Sequence, residues 1–291
     1  MRAFDPEVFD AVWRALEARI PARDDCHPLG CHRARASDRE CFRVMLVRLV
    51  TGCSWEDAEH LCGRVVSDTT VRARRDEWIR AGIFDALSNE AIEGYARIIG
   101  LDLSDVSLDG SLHKAPCGGE GTGPNPTDRA KLGWKWSLLV DGNGIPLGWH
   151  LDGANRNDSV LLAPTLDDLG GRGMLCEIET IWLDRGYDSE LTRERLEERG
   201  ITDAVITSRR RYAVTTDKEG KAPPAPRQPM GLRWPVERTN AWLSNFGQLR
   251  RNTDRKPKHR EAQFSLAVAF LLVAKLIDWR KRWSPAAAPI R

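Results

Sequence analysis

Apolar residues recur at helical spacing through the first hundred positions of the chain. Val8, Phe9, Val12, Trp13, Leu16 and Ile20 mark the buried stripe of one helix. Ser37-Asp38-Arg39-Glu40 is a capping box, in which serine and glutamate satisfy each other's exposed backbone donors. It predicts a helix that buries Phe42, Leu46, Leu49 and Val50. After Thr51-Gly52-Cys53, the run Ser54-Trp55-Glu56-Asp57 opens a short helix, and Ser67-Asp68-Thr69-Thr70 caps another. That last helix carries Val71, Trp78 and Ile79 on one face and Arg72, Arg74 and Arg75 elsewhere. Helix, tight turn, short helix, basic helix is the outline of a helix-turn-helix.

Near residue 103 the period changes from helical to alternating. Strands are expected at 104–109, 135–141 and 144–151, the last two joined by the hairpin cue Asp141-Gly142-Asn143-Gly144. A helix from about 158 to 169 follows, then a strand at 179–184, a charged helix at 189–199 and a short strand at 203–207. Residues 208–231 hold Pro223, Pro224, Pro226 and Pro229 and read as a loop. Helices at 235–249 and 261–282 complete the chain before a loose tail. This order predicts an α/β ribonuclease H-like fold: a mixed sheet flanked by helices, preceded by an all-α, helix-turn-helix-like domain. The expected division is 1–100 helical, 101–282 catalytic and 283–291 tail.

With 291 residues, 41% hydrophobic and 30% charged, the chain describes a soluble protein with a real core. Its 44 basic and 42 acidic residues nearly cancel, so distribution matters more than net charge. Arginines cluster at 72–75, 209–211 and 250–260, giving local patches for a polyanion. The N-terminus lacks the apolar run of a signal peptide. The apolar stretch Phe264 to Ile277, broken by Lys275, predicts a buried helix rather than a membrane span. Seven scattered cysteines suit a reducing cytoplasm.

Three carboxylates stand at strand ends or helix starts. Asp109 ends the alternation Val106-Ser107-Leu108-Asp109-Gly110, Asp184 ends Thr180-Ile181-Trp182-Leu183-Asp184, and Glu237 follows Pro235 where a helix should begin. In the expected fold the first and fourth strands are neighbours, so Asp109 and Asp184 lie side by side with Glu237 in reach. Acids so placed can hold two Mg²⁺ or Mn²⁺ ions, a device for breaking and joining phosphodiester bonds.

From about residue 35 to 280 the chain resembles bacterial insertion-sequence transposases of the DDE class, in the branch with a short ribonuclease H-like core. The resemblance rests on Ser107-Leu108-Asp109-Gly110-Ser111, on Leu183-Asp184-Arg185-Gly186-Tyr187-Asp188, and on Arg233-Trp234-Pro235-Val236-Glu237-Arg238-Thr239 with Trp242-Leu243. Segments 49–55 and 78–84 are similar to that branch as well. The resemblance implies Asp109, Asp184 and Glu237 as catalytic metal ligands, Asp109 shared by both ions. It implies hydrolysis at an element end, then attack of the freed 3′-hydroxyl on target DNA. Partners would be double-stranded terminal inverted repeats and target DNA, handled by a homodimer in a synaptic complex, in the cytoplasm and away from membranes. In the family signature around the glutamate, Met230 stands at the tyrosine position and Ser244 at the lysine position. Arg250 or Arg251 is expected to supply the missing cation.

Arg72, Arg74, Arg75, Arg185, Arg233, Arg238, Arg250 and Arg251 are the expected DNA contacts. Trp134, Trp136 and Trp234 are candidates for base stacking, with burial the commoner fate of tryptophan. Cys26-His27 and Cys31-His32 lack usual zinc-finger spacing and read as a connector. Gly118, Gly119, Gly121 and Gly123 lack the ending of a phosphate-binding loop and predict a flexible loop beside the active site. Alternatives are a nuclease without strand transfer and a silent DNA-binding regulator.

Overall fold

The computed structural model describes residues 2–22, 35–206 and 233–283. Cys26, His27, Cys31, His32, Arg209–Arg211, Met230, the proline-rich stretch and the tail lie outside the described residues. Five helices come first: α1 Pro6–Glu17, α2 Asp38–Thr51, α3 Trp55–Leu61, α4 Asp68–Arg80 and α5 Ile83–Ile98. The side chains of Asp5, Ser37, Ser54 and Ser67 each accept a backbone N–H at the start of the first four, at about 1 kcal/mol per cap. Next come β1 Asp105–Lys114, β2 Gly123–Pro124, β3 Leu132–Val140, β4 Pro146–Gly153, α6 Asp158–Gly171, β5 Thr180–Leu183, α7 Glu190–Glu197 and β6 Asp203–Ile206. The last elements are α8 Trp234–Leu243, α9 Gly247–Arg250 and α10 Pro257–Trp283.

The main strands run β4-β3-β1-β5-β6, with the two-residue β2 beside β3. β1 is antiparallel to β3 and parallel to β5, and β6 continues parallel to β5. Three antiparallel strands followed by two parallel strands reached through helices is the ribonuclease H-like order. On β1, Val106 and Leu108 face Leu162 and Leu166 of α6 in one core. Asp109 pairs with Leu138, which belongs to the other core with Val236 of α8 and Phe264 of α10. Cross-strand partners share a face, so the carboxylate of Asp109 is turned toward α8.

That second core is continuous from α1 through α5 into β3, α8 and α10. The change near residue 100 therefore separates secondary-structure types rather than cores. α10 is long and apolar enough to cross a membrane by length and composition, yet 56% of its most apolar window is buried among the other elements. It is the helix around which the N-terminal helices pack.

Three expectations need correction. β1 does not stop at Asp109 but runs on to Lys114, because Gly110 to His113 keep pairing with β3 and His113 stacks on Trp136 at 3.6 Å. The helix expected at 235–249 breaks into α8 and α9. Gly247 packs so closely on Gly52 that a Cβ there would lie 2.5 Å from its backbone nitrogen. The glycine-rich loop is not a free flap beside Asp109. Gly119, at φ +112°, packs on the backbone of Arg255, and Arg260 donates to the carbonyl of Glu120.

Candidate active site

The β1–β5 register pairs Asp105 with Thr180 and Ser107 with Trp182. Continued by two residues, it sets Asp109 opposite Asp184. Asp184 follows the last residue of β5, and its Oδ1 accepts from the Gly186 N–H at 2.6 Å, which turns the chain through Arg185–Tyr187. Asp109 sits mid-strand and accepts from the Gly110 N–H at 2.8 Å. Glu237 lies in the first turn of α8, whose second residue, Pro235, suits a helix start.

Arg233, just before α8, links the acids: one guanidinium nitrogen stands 3.8 Å from Asp109 Oδ2 and 3.7 Å from Glu237 Oε1. Burial raises the Asp109 carboxyl to about 6, the Gly110 N–H and Arg233 oppose the rise, and the charges of Asp184 and Asp158 add to it. Its charge is under-compensated. Beneath it, Tyr187 is fully buried, and burial together with Asp158, Asp109 and Asp184 keeps its phenol protonated. A protonated buried tyrosine is no nucleophile.

A fourth acid joins them. The Asp158 carboxylate packs on Gly110, where a Cβ would come 3.0 Å from its carboxyl carbon. Lys135 Nζ donates to Asp158 Oδ1 and to the Arg156 carbonyl, both at 2.8 Å. Lys135 is 4% exposed. Sequence reasoning did not single out Lys135; the signal was a lysine between two tryptophans in a mostly apolar strand. Among the described residues, no three Asp, Glu, His or Cys side chains gather tightly enough to ligate a metal. The donors nonetheless fit a divalent cation. They are hard oxygens, and Asp109 is short of positive charge.

The family model "Transposase DDE domain" matches residues 100–272, more than half of the chain. This chain belongs to the DDE transposase family. A second model, "Putative transposase of IS4/5 family", matches residues 8–88. The chain is 40% identical over 140 residues, 46% of its length, to the "Putative transposase for insertion sequence element IS402" of Burkholderia cepacia. That match spans 60% of the relative's length. It is 28% identical over 123 residues to the "Insertion element IS402 uncharacterized 16.2 kDa protein" of the same organism, 42% of this chain and 82% of the relative. A pre-cleavage Mos1 transpososome structure aligns over 96% of this chain and 86% of its own, at 10% identity and TM-score 0.30. A Mos1 mariner paired-end complex with Mn aligns over 91% and 86%, at 10% identity and TM-score 0.27. Such remote scores leave the fold to the strand order and the family match.

In this member of the DDE transposase family the expected DNA contacts divide sharply. Arg74 and Arg75 are 5% and 7% exposed, which corrects their assignment to a DNA surface. Arg74 pairs with Asp38 and Glu77, and Arg75 with Asp76 and Asp254. Their charges hold α4 to α2 and to the segment before α10. Arg238 is likewise engaged: it donates to the Asn143 carbonyl at 2.6 Å and lies between the rings of Trp234 and Trp242, 4.1 and 4.6 Å away. It fastens α8 to the β3–β4 hairpin. Arg72 is exposed and paired with Asp68. Arg185, Arg250 and Arg251 are exposed. Ser244, at the family's lysine position, donates its hydroxyl to the Asn240 carbonyl. Trp134 and Trp136 are wholly buried, whereas Trp234 is 52% exposed.

Proposed function

We propose that this protein is the DNA transposase of an insertion sequence. It hydrolyses a phosphodiester at an element end and directs the freed 3′-hydroxyl against target DNA. The observation carrying this reading is that the β1–β5 register sets Asp184 beside Asp109, while Arg233 stands 3.8 Å from Asp109 and 3.7 Å from Glu237. Family membership across residues 100–272 supports it.

Asp109, Asp184 and Glu237 would hold Mg²⁺ or Mn²⁺, two ions that supply activation of the attacking oxygen and neutralise charge on the phosphoryl group. Arg233, standing between Asp109 and Glu237, is placed to meet a phosphate, for which a guanidinium is suited. Arg185 and Arg72 add phosphate contacts, the first beside Asp184. Tyr187 stays protonated and backs Asp109 with an apolar wall. The helices up to residue 100 serve in DNA recognition through the α3–α4 outline, and a homodimer in the cytoplasm pairs the two element ends.

The test uses labelled duplexes carrying the inverted ends that flank the gene, incubated with the protein and Mg²⁺ or Mn²⁺. Cleaved ends joined to a target plasmid are the expected products. Cleavage without joining would make the protein a nuclease, and binding without cleavage a regulator.

A further inference from the structure

A second charged region lies away from the acids. A cleft of about 480 Å³ opens between the α2–α3 turn, α4 and the segment leading into α10. Six cations line it (Arg48, Arg72, Arg75, Arg251, Arg255 and Lys256) against one carboxylate, Asp254. That carboxylate is already taken, 3.0 Å from Arg48 and 3.3 Å from Arg75. Trp55 supports both guanidinium groups at 4.3 and 5.2 Å from its ring centroid. The floor is therefore fixed. On the rim, Arg251, Arg255 and Lys256 are exposed, and among the described residues no carboxylate forms an ion pair with Arg251 or Arg255.

Glycines set the two lips of the cleft. Gly52, at φ +77°, and Gly247 pack backbone to backbone, which fixes the α2–α3 turn against α9. Gly119 packs on the backbone of Arg255, which anchors the other lip. The rim is also tied to the strand that carries Asp109: Asn252 N–H donates to the Lys114 carbonyl at 2.8 Å, and Lys114 bridges Arg251. Lys114 is five residues beyond Asp109 on β1, about 17 Å at strand rise. In B-form DNA that length is about five base pairs.

We propose that this cleft, where the helical region meets the end of β1, grips the phosphate backbone of duplex DNA about five base pairs from the phosphodiester held at Asp109. The inference rests on the transposase reading and adds to it a named docking surface. A polyanion suits the cleft because unpaired cations on a concave surface gather counterions, and a phosphate backbone releases them.

The experiment measures binding of the full chain to an element-end duplex by fluorescence anisotropy, in EDTA and across a salt series. It compares wild type, the triple variant Arg251→Ala/Arg255→Ala/Lys256→Ala, the charge-keeping variant Arg251→Lys/Arg255→Lys, and the remote control Arg97→Ala. The triple variant should bind about tenfold or more weakly, and its log-affinity against log-salt slope should be shallower by about 2–3. The charge-keeping and control variants should bind nearly as wild type. Phosphate-ethylation interference on the wild type should peak about five base pairs from the cut, and that peak should vanish in the triple variant. Equal affinity and slope in the triple variant, or equal loss in the charge-keeping variant, overturns the cleft. A wild type that binds no duplex overturns the transposase reading as well.

Discussion

Two centres of charge sit in this molecule, one buried around Asp254 and one half-buried around Asp109, and they are built in opposite ways. Around Asp254, 8% exposed, every charge has a partner: Arg48 at 3.0 Å, Arg75 at 3.3 Å and the Gln263 amide at 2.5 Å. Around Asp109 the balance is left short. Its carboxylate has one guanidinium at 3.8 Å, shared with Glu237, while Asp184 and Asp158 push against its ionisation. A saturated cluster holds α2, α4 and the start of α10 together. An unsaturated one calls for added positive charge, which is what a site for divalent cations requires.

The contrast breaks most visibly at Asp254. Asp254→Asn leaves Arg48 buried without a counter-charge and Arg75 with Asp76 alone, and should cost about 3–5 kcal/mol, seen as a large fall in the denaturation midpoint. At Asp109 the sign reverses. The folded carboxyl titrates at about 6 against 3.8 ordinarily. Below about pH 4 it is protonated whether the chain is folded or not, so it adds no cost. Between about 4 and 6 the folded protein keeps a proton that the unfolded chain has released, so stability falls as pH rises. Above about 6 the full cost stands, on the order of 2–3 kcal/mol. Asp109→Asn should therefore raise metal-free stability at pH 8 by up to that amount, raise it by no more than about 0.5 kcal/mol at pH 4, and abolish cleavage. Denaturant midpoints at the two pH values check it.

Smaller effects follow outside both centres. Ser67→Ala removes the cap of α4 and should cost about 1 kcal/mol in thermal unfolding. Arg72→Ala breaks an exposed i,i+4 pair with Asp68 and should change stability by no more than about 0.5 kcal/mol, while its effect on DNA affinity reports whether the side chain meets phosphate.

Much of the architecture was legible in the sequence because local signals agreed with the global fold. Three serine caps, the Asp141-Gly142-Asn143-Gly144 hairpin and the alternation of β1 each point to one local structure. The strand order then follows from chain connectivity. That Asp109 and Asp184 are neighbours was legible because a residue beyond a parallel strand has a known partner. What escaped was set by distant contacts. Arg74 and Arg75 look like a basic helix face until Asp38 and Asp254, far away in sequence, bury them. Likewise, the break between α8 and α9 comes from Gly52 meeting Gly247 across 195 positions, which no local pattern records.

Electron paramagnetic resonance of Mn²⁺ titrated into the wild type and into Asp109→Asn, Asp184→Asn and Glu237→Gln tests the paired-acid site most directly, without reference to activity. Saturable binding by the wild type, weakened about tenfold or more in each variant, is the expected result. Binding unchanged in all three variants would contradict it.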